Sequence, residues 1–525
     1  MTTRFYVTTP IYYVNDVPHI GHLYTTTLAD VVARFRRLRG EDVFFLTGTD
    51  EHATKVVDAA REHGVSTADW ADRNAAAFQS CFAELGISND DFVRTSQERH
   101  KSKVSEYVAL LLGSGDVYLG EYEGWYDAGQ EEYVPDAKAR EHDFKSPINK
   151  KPLVRKREQN FFFKLSGYAD ALTHLIESDE LTIQPPGRKQ EVLSRIREGL
   201  KDVPISRTGS SDWGIAVPGH PEHTIYVWID ALFNYLSIVD SEQRRAYWPA
   251  DVHLIGKDIL WFHAVIWPAL LLALSKLEGR EWMRPPRVIH AHGFWIREGE
   301  KMSKSMGNFV DLAELRRYVS EFGLDALRLY LVTQGPLGAG DADFARQRFL
   351  DSYNSELANT LGNGFSRVSN MLGRYFAGKV PAPGAPFVAL QEAAAAHTRQ
   401  ALEHGAVLRL DAMAGSAFAL LHAVDGFIQD TEPFKLAKQP ERIAEVGNIL
   451  YHAAEAIRIA SLLLWPIIPS SVQVLWQRMG LDEQHRALVT PPSGSLDHWL
   501  EWGRLPVGAL VSQGEALFPR IKDAS

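Results

Sequence analysis

The chain has 525 residues, 45% of them hydrophobic and 23% charged, values of a packed globular protein of about three domains and unlike those of a disordered or collagenous chain. Its 56 Lys and Arg against 66 Asp and Glu give a formal net charge of −10, which argues against a basic coat for sequence-independent nucleic-acid binding while leaving room for a local basic track. A single cysteine, Cys81, excludes an intrachain disulfide and any multi-thiolate metal site, which fits a reducing compartment and makes the cytoplasm the expected location.

No basic-then-apolar leader opens the sequence, so the N-terminus is expected to be part of the fold. Arg4 to Thr9 reads as a strand, Leu23 to Arg39 as a helix and Asp42 to Thr47 as an apolar strand. Within the helix, Leu28, Val31, Phe35 and Leu38 recur every third or fourth residue, and Gly40 stands where a C-cap belongs. This is a βαβ unit, which implies a parallel sheet with its ligand crevice at the carboxyl ends of the strands.

From about Asp116 to Pro221 the composition changes to turn-rich Gly and Asp, as in an inserted subdomain. A basic track runs from Ala137 to Lys164, with nine Lys or Arg against three acids, and the adjoining Phe161, Phe162 and Phe163 require that part of it pack on something. A second α/β stretch follows, with strands at Thr224 to Trp228, Val252 to Ile255 and Arg287 to His290. Its apolar helix, Trp261 to Leu274, contains His263 and Pro268 and falls short of the ~20 residues of a membrane span. Beyond Leu337 strand signals vanish. Phe349 to Tyr375, Leu410 to Ile428 and Ile443 to Leu464 carry helical periodicity, broken by the Pro-rich linker Val380 to Pro386, and predict a helix bundle.

Two short motifs carry chemistry. His19 and His22, in Pro18-His19-Ile20-Gly21-His22, lie on one face of a first helical turn beside unpaired backbone N–H groups and the positive end of the helix dipole. Gly21 lets a ligand approach the backbone. That suits phosphate, although such a pair alone could equally be a cap, a core feature or half a metal site. Lys301-Met302-Ser303-Lys304-Ser305, about 280 residues on, offers two ammonium groups and two hydroxyls in a Gly-containing loop, which suits a polyphosphate whose charge moves during reaction.

Taken together, His19-Ile20-Gly21-His22 and Lys301-Met302-Ser303-Lys304-Ser305 resemble the HIGH and KMSKS motifs of class I aminoacyl-tRNA synthetases. The segments Pro10 to Asn15, Gly48 to His52, Val227 to Ala231, Gly256 to Ile259 and Phe262-His263 are similar to the methionyl-tRNA synthetase family, over most of the chain. The resemblance implies an α/β fold, a Rossmann-type doubly wound parallel sheet split by a connective insertion and followed by an all-α anticodon-binding bundle. Its boundaries are expected at residues 1–115 and 223–290 for the two catalytic halves, 116–222 for the insertion, 291–348 for the KMSKS loop and stem-contact region, and 349–525 for the bundle.

The reaction so implied is ATP-dependent activation of methionine to methionyl-adenylate, followed by transfer to the terminal adenosine of methionine tRNA, initiator and elongator alike. A substrate carboxylate is already ionised and attacks the α-phosphorus without a general base, so positioning and charge stabilisation remain. His19, His22, Lys301 and Lys304 are the expected catalytic residues. Gly21, Gly256, Asp258 and Ser303 complete the expected ATP site, with Mg²⁺ accompanying the nucleotide. Asp50 is expected to take the α-ammonium; Ile11, Tyr13, Trp228, Ala231, Leu232, Tyr235, Ile259, His263 and Trp267 are expected around the side chain, where a thioether gains from aromatic contact and a weak donor.

Many relatives carry Cys-x-x-Cys zinc knuckles in the insertion. Here the corresponding stretch from Tyr118 to Lys164 has no cysteine and only His142 of the imidazoles, so no zinc is expected. The insertion is expected to guide the tRNA acceptor end, and Asn354, Asn359, Arg367, Pro433 and Phe434 to read the anticodon, with Phe434 standing where many relatives have Trp. Competing readings are another class I synthetase, such as the cysteinyl enzyme, whose thiolate zinc this chain cannot build, and a catalytically silent tRNA-binding paralogue. A monomer with no membrane association and no obligate protein partner is expected.

Overall fold

The computed structural model describes residues 3–128, 132–208, 213–297, 299–302, 308–481 and 496–522. The chain separates into two compact units, one made of Met1–Phe5, His19–Val43 and Gly293–Ser525, the other of Tyr6–Pro18 and Phe44–His292.

The second unit is built on six strands: β1 (Arg4–Tyr13) and β2 (Asp42–Asp50), each beginning two residues outside it, then β3 (Asp91–Arg94), β4 (Thr182–Gln184), β5 (Val252–Gly256) and β6 (Val288–His292). They lie in the order β3-β2-β1-β5-β6-β4. The pairs β2–β3, β1–β5, β5–β6 and β6–β4 are parallel, with Val7 opposite Val252 and Val252 opposite Val288. The expected sheet is therefore present, and its residues show why: Tyr6, Val7, Phe45, Leu46, Leu254, Ile255 and Ile289 are all buried, the continuous apolar run of strands covered on both faces. Strand order reverses between β1 and β5, the switch point at which such sheets bind ligands beyond their carboxyl ends.

The expected strand from Thr224 to Trp228 is corrected. The strand is His220–Ile225, paired antiparallel with Ser206–Thr208 and Ala216–Val217 outside the main sheet, and Val227–Leu232 is a helix. The β-branched and aromatic run favoured extension, but Tyr226 ends the extended chain and Asp230 finds its partners only in helical geometry, so tertiary contact overrides propensity. The apolar helix forms as expected, with a π-helical turn at Phe262–Ile266 before Trp267–Ser275.

Residues 116–222, the stretch expected as an insertion, contain the long antiparallel pair Val117–Asp127 and Val154–Phe163, in register from Val117 opposite Phe163 to Tyr126 opposite Val154. Phe161, Phe162 and Phe163 are buried, as the sequence requires. Much of the basic track is neutralised locally: Arg155 pairs with Glu123 at 2.8 Å, Arg157 with Glu121 at 2.6 Å, and Lys156 with Glu158. Beyond this pair, Val134, Ala139 and Leu153 form a small core against Trp125, whose ring lies 4.6 Å from Phe144. Among the described residues no group of three or more His, Cys, Asp or Glu could hold a metal ion.

In the first unit, α1 (Ile20–Leu38) ends at Gly40, where φ is +78° and the Gly40 and Glu41 amides return to the carbonyls of Arg37 and Arg36. Beyond Leu337, where no strand is expected, the described residues hold the short strand Ala342–Asp343, parallel to Trp295–Arg297. Helices α2 (Leu324–Gln334), α3 (Val388–Ala406), α4 (Leu410–Thr431) and α5 (Ile443–Leu464) follow, α5 buried along its whole length from Val446. Arg328 of α2, fully buried, binds Asp30 of α1 at 2.6 Å and the carbonyls of Pro466 and Ile467 just past α5, tying the first helix to the bundle. Among the described residues no helix is long and apolar enough to cross a membrane.

Candidate active site

Within the second unit the expected amino-acid residues gather at the carboxyl ends of β1, β2 and β5. Ile11 and Tyr13 close β1 and are half-buried; Tyr13 meets Trp228 edge to face at 6.2 Å. Trp228 stacks flat on Phe262 at 4.0 Å, a partner outside the expected pocket residues. Ala231, Leu232 and Tyr235 are buried on the following helical turns, and Ile259 ends the short turn Lys257–Ile259 that leads into the helical segment carrying His263.

Hydrogen bonds fix the tautomer of His263. Its Nδ1 lies 2.9 Å from the Ile259 carbonyl, which can only accept, so Nδ1 carries the proton. Nε2 then accepts from the Tyr235 hydroxyl at 2.8 Å. Burial drives the pKa of His263 down to about 4, with the Ile259 bond opposing it, so the ring is neutral at physiological pH. A neutral polar pair among aromatic rings suits an uncharged, polarisable side chain and disfavours an acid or a base. Trp267 is fully enclosed: its indole donates to Nε2 of His253, whose Nδ1 meets Thr8 at 2.7 Å, and its ring lies 6.0 Å from Tyr235.

Asp50 ends β2 at 2% exposure, and one of its carboxylate oxygens accepts from the His52 amide at 3.3 Å. Gly256 ends β5, where any Cβ would come within 2.6 Å of Asp258 Oδ1, so glycine leaves room for that exposed carboxylate. Sequence reasoning gave no role to four further residues of this unit: His52, His100, Asp230 and Arg207. His52 and His100 both bind the buried Asp230. Arg207, 8% exposed, lies 4.1 Å over Tyr226, with no hydrogen-bond partner for Nε or Nη1 among the described residues. The available signal was an Asp inside the apolar run Val227 to Leu232, since a charge among hydrophobic neighbours demands partners.

In the first unit, His19 caps α1 with its ring: Nδ1 accepts from the Gly21 amide at 3.1 Å, and the His19 amide donates to Nδ1 of His22 at 3.3 Å. The reciprocal cap assigns both tautomers, because an accepting Nδ1 leaves the proton on Nε2 in each neutral ring. The rings stack at 3.7 Å, and Phe309, just downstream of the Lys-Met-Ser-Lys-Ser segment, packs edge-on against His19 at 5.0 Å. A residue just beyond the second motif thus touches the first motif within this unit. The backbone of Lys301 pairs with Ile296; Ser303 and Lys304 lie outside the described residues.

The expected anticodon residues lie on helices of the first unit. Asn354 binds backbone N–H and carbonyl of Ile521 through its amide, Asn359 is exposed, and Arg367 pairs with Asp425 at 3.2 Å. Pro433 is buried at the start of a short helix, Pro433–Leu436, and Phe434 beside it is 43% exposed.

The family model described as tRNA synthetases class I (M) matches residues 5–142 and 138–369. The methionine–tRNA ligase of Streptomyces coelicolor is 41% identical, covering 99% of this chain and 97% of its own length. That of Bacillus subtilis is 37% identical over 99% of this chain and 78% of its own. A solved structure of Mycobacterium tuberculosis methionyl-tRNA synthetase in complex with methionyl-adenylate is similar at a TM-score of 0.88 and 36% identity, covering 99% and 100%.

Proposed function

The chain belongs to the class I methionyl-tRNA synthetases, and from that premise we propose which residues carry each step of its reaction. That reaction is a methionine–tRNA ligase's: methionine and ATP give methionyl-adenylate and pyrophosphate, and the methionyl group then passes to the 3′-terminal adenosine of methionine tRNA.

Methionine's α-ammonium pairs with Asp50, and its thioether lies among Ile11, Tyr13, Trp228, Ala231, Leu232, Tyr235, Ile259, His263 and Trp267. The ionised carboxylate attacks the α-phosphorus; a carboxylate oxygen–phosphorus bond forms as the bond to pyrophosphate breaks, and no proton needs removing. His19 and His22 donate from Nε2 to phosphate oxygens, helped by the helix N-terminus and by Gly21. Gly256 and Asp258 receive the adenosine, the carboxylate accepting from ribose hydroxyls. Lys301, Ser303 and Lys304 neutralise the departing pyrophosphate. Mg²⁺ enters with ATP as part of the substrate, on its phosphate oxygens.

The observation that carries this division of labour is the reciprocal cap of His19 and His22, which puts the protons of both rings on Nε2 at one helix N-terminus. We assign the anticodon to residues 349–525 and the acceptor end to the insertion, for initiator and elongator tRNAs, in a monomeric cytoplasmic enzyme. Lys304→Ala tests the catalytic reading: adenylate formation in rapid quench should fall by about 10² to 10³ with methionine affinity nearly unchanged. An equal loss of methionine binding refutes the role. Pyrophosphate exchange with each amino acid in turn separates a methionine enzyme from another class I synthetase and from a silent paralogue.

A further inference from the structure

Asp230 is a buried carboxylate that the chemistry of activation does not use. It is 1% exposed, in the helix Val227–Leu232, and its two oxygens are shared between imidazoles from separate segments. Nδ1 of His52, just past β2, lies 2.6 Å from Oδ2; Nε2 of His100, in the helix Glu98–Gly113, lies 2.8 Å from Oδ1. An ionised carboxylate only accepts, so each facing nitrogen carries a proton. The other nitrogen of His100 meets the Ser237 hydroxyl at 2.8 Å. Burial by itself favours the neutral acid, but the charge interaction with His52 and the bonds from both imidazoles outweigh it and bring Asp230 to about 2.

The network joins two ends of one ligand. The His52 amide donates to Asp50 Oδ1, while Trp228 precedes Asp230 by two residues and Ala231 and Leu232 follow it. Methionine carries its ammonium and its side chain on one carbon, so the separation of Asp50 from the Trp228 wall has to match the substrate. We propose that Asp230 is a positioning residue that, through His52 and His100, sets the separation of the ammonium partner from the side-chain wall. This rests on the reading of Asp50 and Trp228 given above. A misplacement of ~1 Å at such a distance costs about 10²-fold in rate.

The test measures KM for methionine and for ATP in pyrophosphate exchange, with melting temperatures, for Asp230→Asn, His100→Ala and His100→Gln. A glutamine amide presents an N–H where His100 presents Nε2–H. Asp230→Asn and His100→Ala should raise the methionine KM about tenfold or more with the ATP KM within about twofold, and His100→Gln should recover most of the loss. A methionine KM within about twofold of the parent in Asp230→Asn, or equal rises for both substrates, overturns the proposal. Should Asp230→Asn not fold, the His100 pair decides, and indistinguishable Ala and Gln variants overturn it. Asp50→Asn probes the underlying reading separately: an unchanged methionine KM there removes the ammonium role, and the proposal with it, whatever the Asp230 result.

Discussion

The hydroxyl of Tyr235 donates to Nε2 of His263 at 2.8 Å, and the same ring's Nδ1–H is committed to the Ile259 carbonyl at 2.9 Å. Tyr235→Phe would leave Nε2 a buried acceptor without a partner, at a cost of about 1–3 kcal/mol. The variant should melt earlier and lose about tenfold or more in kcat/KM for methionine, with the ATP KM unchanged. A parental methionine KM alongside the stability loss would reduce the pair to core packing.

His263 and His253 also predict an acid-side loss of stability. Burial takes His263 down to about 4 and, aided by charge interaction with His263, takes His253 well below its ordinary value. The unfolded chain protonates near ~6.5, so between ~6.5 and ~4 the unfolded state binds more protons than the folded one. Stability from these rings is therefore complete above ~6.5 and falls as pH drops through that window, by up to about 1.4 kcal/mol per pH unit for each ring. Asp230, lowered to about 2, is already ionised there and adds its own loss only below its unfolded value. Denaturant titrations between about pH 7 and pH 5 should show the slope, and His253→Gln should reduce it. A flat profile would show that neither ring is held neutral.

The sequence made some of this legible because local pattern and tertiary environment agree. Strands β1, β2, β5 and β6 carry apolar runs that only a doubly covered sheet satisfies, and Gly40 caps α1 where its spacing placed it. Val227 and Trp228, the end of the strand expected from Thr224 to Trp228, are helical instead, because the β-branched and aromatic run favours a strand while the buried charge of Asp230, satisfied from His52 and His100, requires the helix Val227–Leu232. Those partners stand more than a hundred residues away in sequence, and no periodicity reports them. The cross-strand acids Glu121 and Glu123 were hidden from a count of the basic track for the same reason: only the strand register brings them opposite Arg157 and Arg155.

Gly256 makes a prediction about the nucleotide alone. A Cβ at this position would lie 2.6 Å from Asp258 Oδ1, closer than contact allows, so Gly256→Ala must turn the Asp258 carboxylate aside. The side chain is exposed and can move, which keeps the fold intact. The ATP KM should rise about tenfold while methionine binding, followed by tryptophan fluorescence, stays within about twofold of the parent. An unaltered ATP KM would remove Asp258 from the adenosine site.

The ring of His19 has two separable duties, and one substitution divides them. As N-cap it accepts from the Gly21 amide through Nδ1, which an asparagine oxygen also does well; as phosphate donor it uses Nε2–H, which the shorter carboxamide cannot place. His19→Asn should therefore keep its melting temperature and lose about 10²-fold in the rate of adenylate formation. His19→Ala should lose that rate and about 1 kcal/mol of stability besides. If His19→Asn forms adenylate at the parental rate, the ring serves only to start the helix, and the transition-state charge must be met elsewhere.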